Sequence, residues 1–255
     1  MKILITGGDG YIAKSLHTTL FTKHDIMVIG RDIFDLTIPT ETLKFFSNKY
    51  FDVVIHCAVS GGSRLRPDNW GDLDNNLKMY YNLLNCSDNF GKLIHFGSGA
   101  EIFSPETPYG LSKKVIANSI LEKENFYNIK IFAVFDKNEL PTRFIKANIK
   151  RYMNQEPMII HQDKFMDFFY MEDLISLVNY YINNDNPPKQ IDCSYKDQYK
   201  LSDIASIINN LSTNKVDIQI ENPILGREYK GNFVDLGIPL KGLKYGITQS
   251  YNYEY

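Results

Sequence analysis

The sequence has no excess charge of either sign: 28 lysines and arginines stand against 30 aspartates and glutamates, a net charge of −2. Without a basic excess, nucleic acid is not an expected partner. Long apolar runs are also missing. No stretch approaches the roughly 20 residues that a membrane helix needs. The opening run Met1-Lys2-Ile3-Leu4-Ile5-Thr6 is too short for a signal peptide, so a cytoplasmic protein with no membrane partner is expected. Cysteine is scarce. Cys57, Cys86 and Cys193 are odd in number and widely spaced, which argues against a disulfide framework and for a reducing compartment. No group of His, Cys and carboxylates has metal-ligand spacing, so no metal is expected, and His95 and His161 read as structural. No internal repeat or low-complexity segment is evident.

What remains is a chain of 255 residues, 44% of them hydrophobic, long enough for a well-buried core. Its first half alternates short β-branched runs with amphipathic stretches. That pattern predicts an α/β fold, a doubly wound parallel sheet of Rossmann type with a small C-terminal α/β substrate-binding lobe. Strands are expected at 3–6, 26–29, 53–56, 93–96 and 129–135. Helices are expected at 11–21, 40–48 (capped by Thr40), 67–87 and 109–123. Further on, helices are expected at 142–152, 171–181 and 201–211, and strands at 157–160, 190–193 and 216–220. Residues 1–135, with 166–186 returning, form the expected dinucleotide-binding domain; 136–165 and 187–255 form the lobe.

Strand 3–6 runs into Gly7-Gly8-Asp9-Gly10-Tyr11-Ile12-Ala13. A pyrophosphate needs backbone N–H groups at a helix N-terminus and no side chain in the way. Gly7 allows the tight turn, Gly10 clears the phosphate, and Ala13 permits close helix packing. A strand before and a helix after make this a cofactor loop, with Tyr11 and Ile12 opening the helix. At the end of the second strand the sequence reads Val28-Ile29-Gly30-Arg31-Asp32. Gly30 stands where an acid for the ribose hydroxyls is expected, and Arg31 follows, which favours NADP(H) over NAD(H). Asp32 serves a ribose instead if the strand ends one residue later.

Tyr109-Gly110-Leu111-Ser112-Lys113 carries the chemistry. Residues four apart share a helix face, so Lys113 reaches the neighbourhood of the Tyr109 hydroxyl. An ammonium and a positively charged nicotinamide ring lower a phenol below its ordinary pKa of about 10, and Tyr109 then moves the proton while hydride moves at carbon.

These segments together resemble the extended short-chain dehydrogenases, the NAD-dependent epimerase/dehydratase family. Other segments match as well: His56-Cys57-Ala58, whose backbone would line the cofactor; Asp74-Asn75-Asn76-Leu77, where Asn76 would contact it; and the run 167–174, similar to the family's DFVYVDDL segment. The resemblance implies that Lys113 also bonds the nicotinamide ribose, and that a Ser or Thr ends the fourth strand to bind the reacting carbonyl. Ser98 is the candidate; counting back from Ile102-Phe103 puts Gly99 there instead. Dehydratases of the family carry Thr-Asp-Glu where this chain has Gly99-Ala100-Glu101, so dehydration is disfavoured. Glu101 reads as a polar rim residue at the substrate, or else as a proton-moving group. The segment 31–37, the run 52–62 and the turn 96–98 are most similar to GDP-fucose synthase-type reductases. An NADPH-dependent reductase of a 4-keto nucleotide-diphosphate sugar is therefore expected, in surface-polysaccharide or deoxysugar biosynthesis. The alternatives are a nucleotide-sugar epimerase with tightly bound NAD and a non-catalytic NADP-binding regulatory protein. Arg143, Lys146 and Arg227 are the candidate cations for the sugar's diphosphate. An Arg common in relatives before the Asp-Phe pair is Met166 here. The family also implies a homodimer, paired through the helices at 67–87 and 109–123.

Overall fold

A computed structural model describes residues 1–63 and 66–254. The chain divides into two compact units: residues 1–130 with 178–191, and residues 131–177 with 192–255. The segment 178–186 thus groups with the first unit, and 166–177 with the second.

The first unit holds a six-stranded sheet in the order β2-β1-β3-β4-β5-β9. The strands are β1 (Lys2–Thr6), β2 (Asp25–Ile29), β3 (Phe51–His56), β4 (Phe90–Ser98), β5 (Phe126–Ile131) and β9 (Gln190–Asp192). Register is parallel from β2 through β4, with Ile5 opposite both Val28 and Ile55. Ile3, Leu4 and Ile5 are fully buried. A central parallel strand is covered on both faces, which is why β1 reads as an unbroken apolar run and not as an alternation. Strand order reverses on either side of β1, so a crevice opens where the loops after β1 and β3 diverge.

The helices of this unit are α1 (Tyr11–Leu20), α2 (Pro39–Phe46), α3 (Trp70–Leu84), the short α4 (Ala100–Phe103) and α5 (Pro108–Leu121). Thr40 is not the cap of α2. Pro39 sits in the first turn with its φ already helical, Ile38 precedes it, and no side chain caps the end. Helix α3 starts three residues later than the expected 67, because Asn69 makes a capping box with Asp72: Asp72 N donates to Asn69 Oδ1 at 3.2 Å and Asn69 N donates to Asp72 Oδ2 at 2.9 Å. Thr107 caps α5 through Gly110 N, with Pro108 in the first turn. Leu4, Val54, Tyr80, Leu83, Leu93, Ile116 and Ile120 belong to one buried cluster that packs α3 and α5 against the sheet.

The second unit holds β6 (Val134–Phe135) paired with β8 (Phe169–Tyr170), and β7 (Met158–Gln162) paired in parallel with β10 (Ile218–Asn222). Its helices are α6 (Phe144–Met153), most of α7 (Met171–Asn183), α8 (Leu201–Asn209) and α9 (Leu243–Glu254). Met166 lies in this unit's core with Ile145, Ile204 and Ile247, a setting that suits a thioether and would penalise an arginine. The expected strand 129–135 is two strands, β5 and β6. Among the described residues no helix is long and apolar enough to cross a membrane, and no three His, Cys, Asp or Glu side chains group so as to hold a metal ion.

Candidate active site

The crevice beside β1 contains a cavity of about 340 Å³ lined by Gly7, Asp9, Gly10, Gly30, Arg31, Phe34, Cys57, Ala58 and Met79, among others. Gly7 has φ +70°, and a Cβ there would stand 2.7 Å from the backbone N and Cα of Ala58. The loops after β1 and β3 can meet this closely only with glycine at that position. Gly10 is the N-cap of α1, in extended conformation, with no side chain capping the helix and no acid in its first turn. Backbone donors at such an end attract an anion. A dinucleotide pyrophosphate therefore fits this cradle. Of the residues expected at the cofactor, Gly7, Gly10, Arg31, Cys57 and Ala58 line the cavity. Tyr11 and Ile12 form the start of α1, both half-buried.

Gly30 directly follows β2, which ends at Ile29. The Cβ it lacks would stand 2.7 Å from Asp32 Oδ1 and 3.3 Å from Asp9 Oδ2. Two carboxylates thus approach the place where a residue-30 side chain would be.

Tyr109 and Lys113 share α5, the lysine ammonium lying 5.8 Å from the centre of the tyrosine ring. Lys113 is buried and donates to Phe96 O at 2.7 Å. Burial pulls its pKa down to about 8, while Glu101 works in the opposite sense. Gly62, with φ +67°, lies against the same ring: its absent Cβ would be 2.7 Å from Tyr109 Cζ. Gly110 lets α5 close onto α4, since a Cβ there would collide with Ser104 O.

Ser98 ends β4, and its Oγ accepts from Ala100 N at 3.1 Å, leaving the O–H to donate. Glu101 corrects the expectation of a polar rim. It is buried, and its carboxylate turns inward to accept from Ser98 N at 2.8 Å. Asn128 Nδ2 lies 3.4 Å from both its oxygens, and Lys130 Nζ is 3.8 Å from Oε2. Burial pushes its carboxyl up, opposed by the Ser98 amide and Lys130. Glu101 is thus the floor of the β4–α4 turn, tied to β5 residues that no local spacing could reveal.

Asn76 is also spent on the protein. It accepts from Ser60 N at 2.7 Å and donates to Ser60 O at 2.9 Å and Ser112 Oγ at 3.0 Å. Arg143, the N-cap of α6, and the exposed Arg227 both belong to the second unit. Lys146 is paired with Glu254 at 3.0 Å, so its charge is taken. His56 and His95 are buried side by side with ring centres 5.4 Å apart; burial first, then Lys113, drives both pKa values down, His56 to about 3.

Residues 3–194 match the model of the NAD dependent epimerase/dehydratase family. The chain belongs to this family. Its members' chemistry makes the protein an oxidoreductase-type enzyme. Among relatives, the CDP-abequose synthase of Yersinia pseudotuberculosis is 22% identical over 246 residues, covering 86% of this chain and 87% of that protein. Two solved structures share the fold at 16% identity. The UDP-glucose 4-epimerase of Thermotoga maritima, solved with UDP-glucose, has a TM-score of 0.80 and covers 100% of this chain and 98% of its own. The GDP-mannoheptose C4 reductase of Campylobacter jejuni, solved with NADP bound, has a TM-score of 0.76 over 99% and 98%.

Proposed function

We propose that this family member is an NADPH-dependent reductase of a 4-keto nucleotide-diphosphate sugar. The observation that carries the reading is the set of groups in the first unit: a glycine cradle with Arg31 on its wall, and a phenol with a buried ammonium one helical turn away. Relatives that are a CDP-sugar synthase and a GDP-sugar C4 reductase support the substrate class. When bound, the reduced nicotinamide supplies the hydride. Gly7 and Gly10 keep side chains out of the cradle, Tyr11 and Ile12 present backbone donors to the pyrophosphate, Arg31 meets the 2′-phosphate, and the 57–58 backbone follows the dinucleotide. Lys113 holds the ribose and, as a cation, favours the phenolate that remains after Tyr109 gives its proton to the carbonyl oxygen. Ser98 donates to the same oxygen. Asn76 acts on the cofactor side through Ser60, and Glu101 on the substrate side through Ser98. Arg143 and Arg227 serve the sugar's diphosphate. The reading extends to a cytoplasmic homodimer in surface-polysaccharide or deoxysugar synthesis.

Incubating the protein with a panel of 4-keto nucleotide sugars and NADPH, followed at the nicotinamide absorbance, is the test. Net oxidation with at least one sugar is expected. No oxidation with any of them, in a protein that binds NADPH, ends the reading.

A second reading, an epimerase retaining NAD, draws on one feature: the carboxylates of Asp9 and Asp32 near Gly30 suit ribose hydroxyls better than a phosphate. Coenzyme titration separates the two. For the reductase, NADPH binds more tightly than NADH, and Arg31→Ala weakens NADPH by about tenfold while leaving NADH within twofold, the loss of one charge-assisted contact. A wild-type protein that prefers NADH, unaffected by Arg31→Ala, supports the epimerase.

A further inference from the structure

The loop after β3 is bound to the first turns of α3 by a buried carboxylate. Asp72, 2% exposed, accepts from Arg66 Nη1 at 2.7 Å and Nη2 at 2.5 Å. It also accepts from Ser60 Oγ at 2.6 Å and Asn69 N at 2.9 Å. The Arg66 bonds, then the Ser60 bond, hold its carboxyl well below the usual range against the cost of burial. Gly62 N donates to Asp68 Oδ1 at 2.7 Å, tightening the same loop. Asn76, one turn further along α3, takes both backbone groups of Ser60 and reaches Ser112 Oγ. Ser112, between Tyr109 and Lys113, donates to Tyr109 O at 2.7 Å. The network reaches the phenol end of the ring through Gly61 and Gly62, at φ +80° and +67°: a Cβ on residue 62 would stand 2.7 Å from Tyr109 Cζ.

We infer that Asp72 is a positioning residue for the reaction: held by Arg66, it binds Ser60 and packs against Gly61, seating Gly62 against the phenol and so setting the direction in which the Tyr109 hydroxyl is presented. The inference rests on Tyr109 being the proton donor. An exposed Arg–Asp pair contributes little; here Arg66 is half exposed, but the Asp72 carboxylate is buried and also satisfies Ser60 Oγ and Asn69 N, so its loss leaves those two donors without their acceptor. A phenol is free to swing about its side-chain bonds. Misplacing a reacting group by about 1 Å costs on the order of a hundredfold in rate. A loop packed on the ring limits that swing at no cost during the reaction.

The test is a double-mutant cycle with the 4-keto nucleotide sugar that oxidises NADPH. Asp72→Asn keeps the shape and an acceptor but loses the charge that binds Arg66. We expect kcat to fall by about ten- to a hundredfold, with NADPH affinity within twofold of wild type. In a Tyr109→Phe background the same change is expected to cost nothing further, since there is no hydroxyl left to aim. Should Asp72→Asn fail to fold, Arg66→Lys keeps the charge and removes the two-pronged geometry; a smaller loss, again confined to the protein that has Tyr109, is expected. Equal losses in both backgrounds overturn the positioning role while leaving Tyr109 as donor. A Tyr109→Phe protein with wild-type turnover overturns the reading beneath it instead.

Discussion

Tyr109→Phe is expected to lower turnover by about 10²- to 10⁴-fold, the range a positioned general acid contributes, while NADPH affinity stays within twofold. The ring is fixed from several sides. Thr107 and Pro108 begin the helix just before it, Gly62 lies on its face at Cζ, and Lys113 stands 5.8 Å from its centre. Removing one oxygen leaves those contacts in place, so stability should hardly move. The Gly7–Gly10 cradle and Arg31 lie on the loops after β1 and β2 and are untouched. A steady-state assay paired with a fluorescence titration of NADPH checks both halves. Turnover lowered less than fivefold would mean that the proton reaches the carbonyl by another route.

Lys113→Met is expected to produce a protein that is more stable at neutral pH and catalytically crippled. The ammonium is buried, and burial lowers its pKa from 10.5 to about 8. The sign follows from which state holds the proton. Below pH 8 both the folded and the unfolded chain carry it, and the folded state bears the whole cost of the buried charge. Between about pH 8 and 10.5 the unfolded chain keeps the proton and the folded chain has lost it, so stability rises with pH across that window. Above it the contribution is flat. Methionine removes the charge but also leaves Phe96 O without its 2.7 Å donor. The two partly offset, and a net gain on the order of 1 kcal/mol at pH 7 is expected. Urea unfolding of both proteins at pH 7 and pH 10 measures it. The difference between them should shrink or reverse at the higher pH; a constant difference would show that Lys113 carries no such cost. Coenzyme affinity should fall by about tenfold or more with the ribose contact gone.

The first unit was legible where local pattern and tertiary role coincide. The apolar run at Ile3–Ile5 reads as a central strand because both of its faces are buried. Gly7, Gly10, Tyr109 and Lys113 sit at spacings that one turn or one helical repeat enforces. Legibility ended where a side chain's partner comes from a distant element. Glu101 reads as a rim residue until Asn128 and Lys130 of β5 are placed beneath it. Asn76 reads as a cofactor contact until Ser60 takes both ends of its amide. Asp72 shows only the capping-box spacing to Asn69; the partners that give it a role, Arg66 and Ser60, reach it from a loop. Helix α9 was missed for a different reason. Its run Leu243–Glu254 mixes six polar or charged residues with three tyrosines and has only Leu243, Gly246, Ile247 and Ser250 buried, too thin an apolar stripe to stand out.

The bare start of α1 has a bearing on how the protein survives. Like α2 and α6, this helix has no side-chain cap, and it begins on a glycine at the wall of the crevice. A bound dinucleotide would complete that turn, so folding and coenzyme supply become linked quantities. At a coenzyme concentration a hundred times its dissociation constant the linkage is worth about 2.7 kcal/mol, comparable to a large core mutation. A cell depleted of nicotinamide dinucleotide would then lose more than the reaction: the chain itself would become easier to unfold and to degrade.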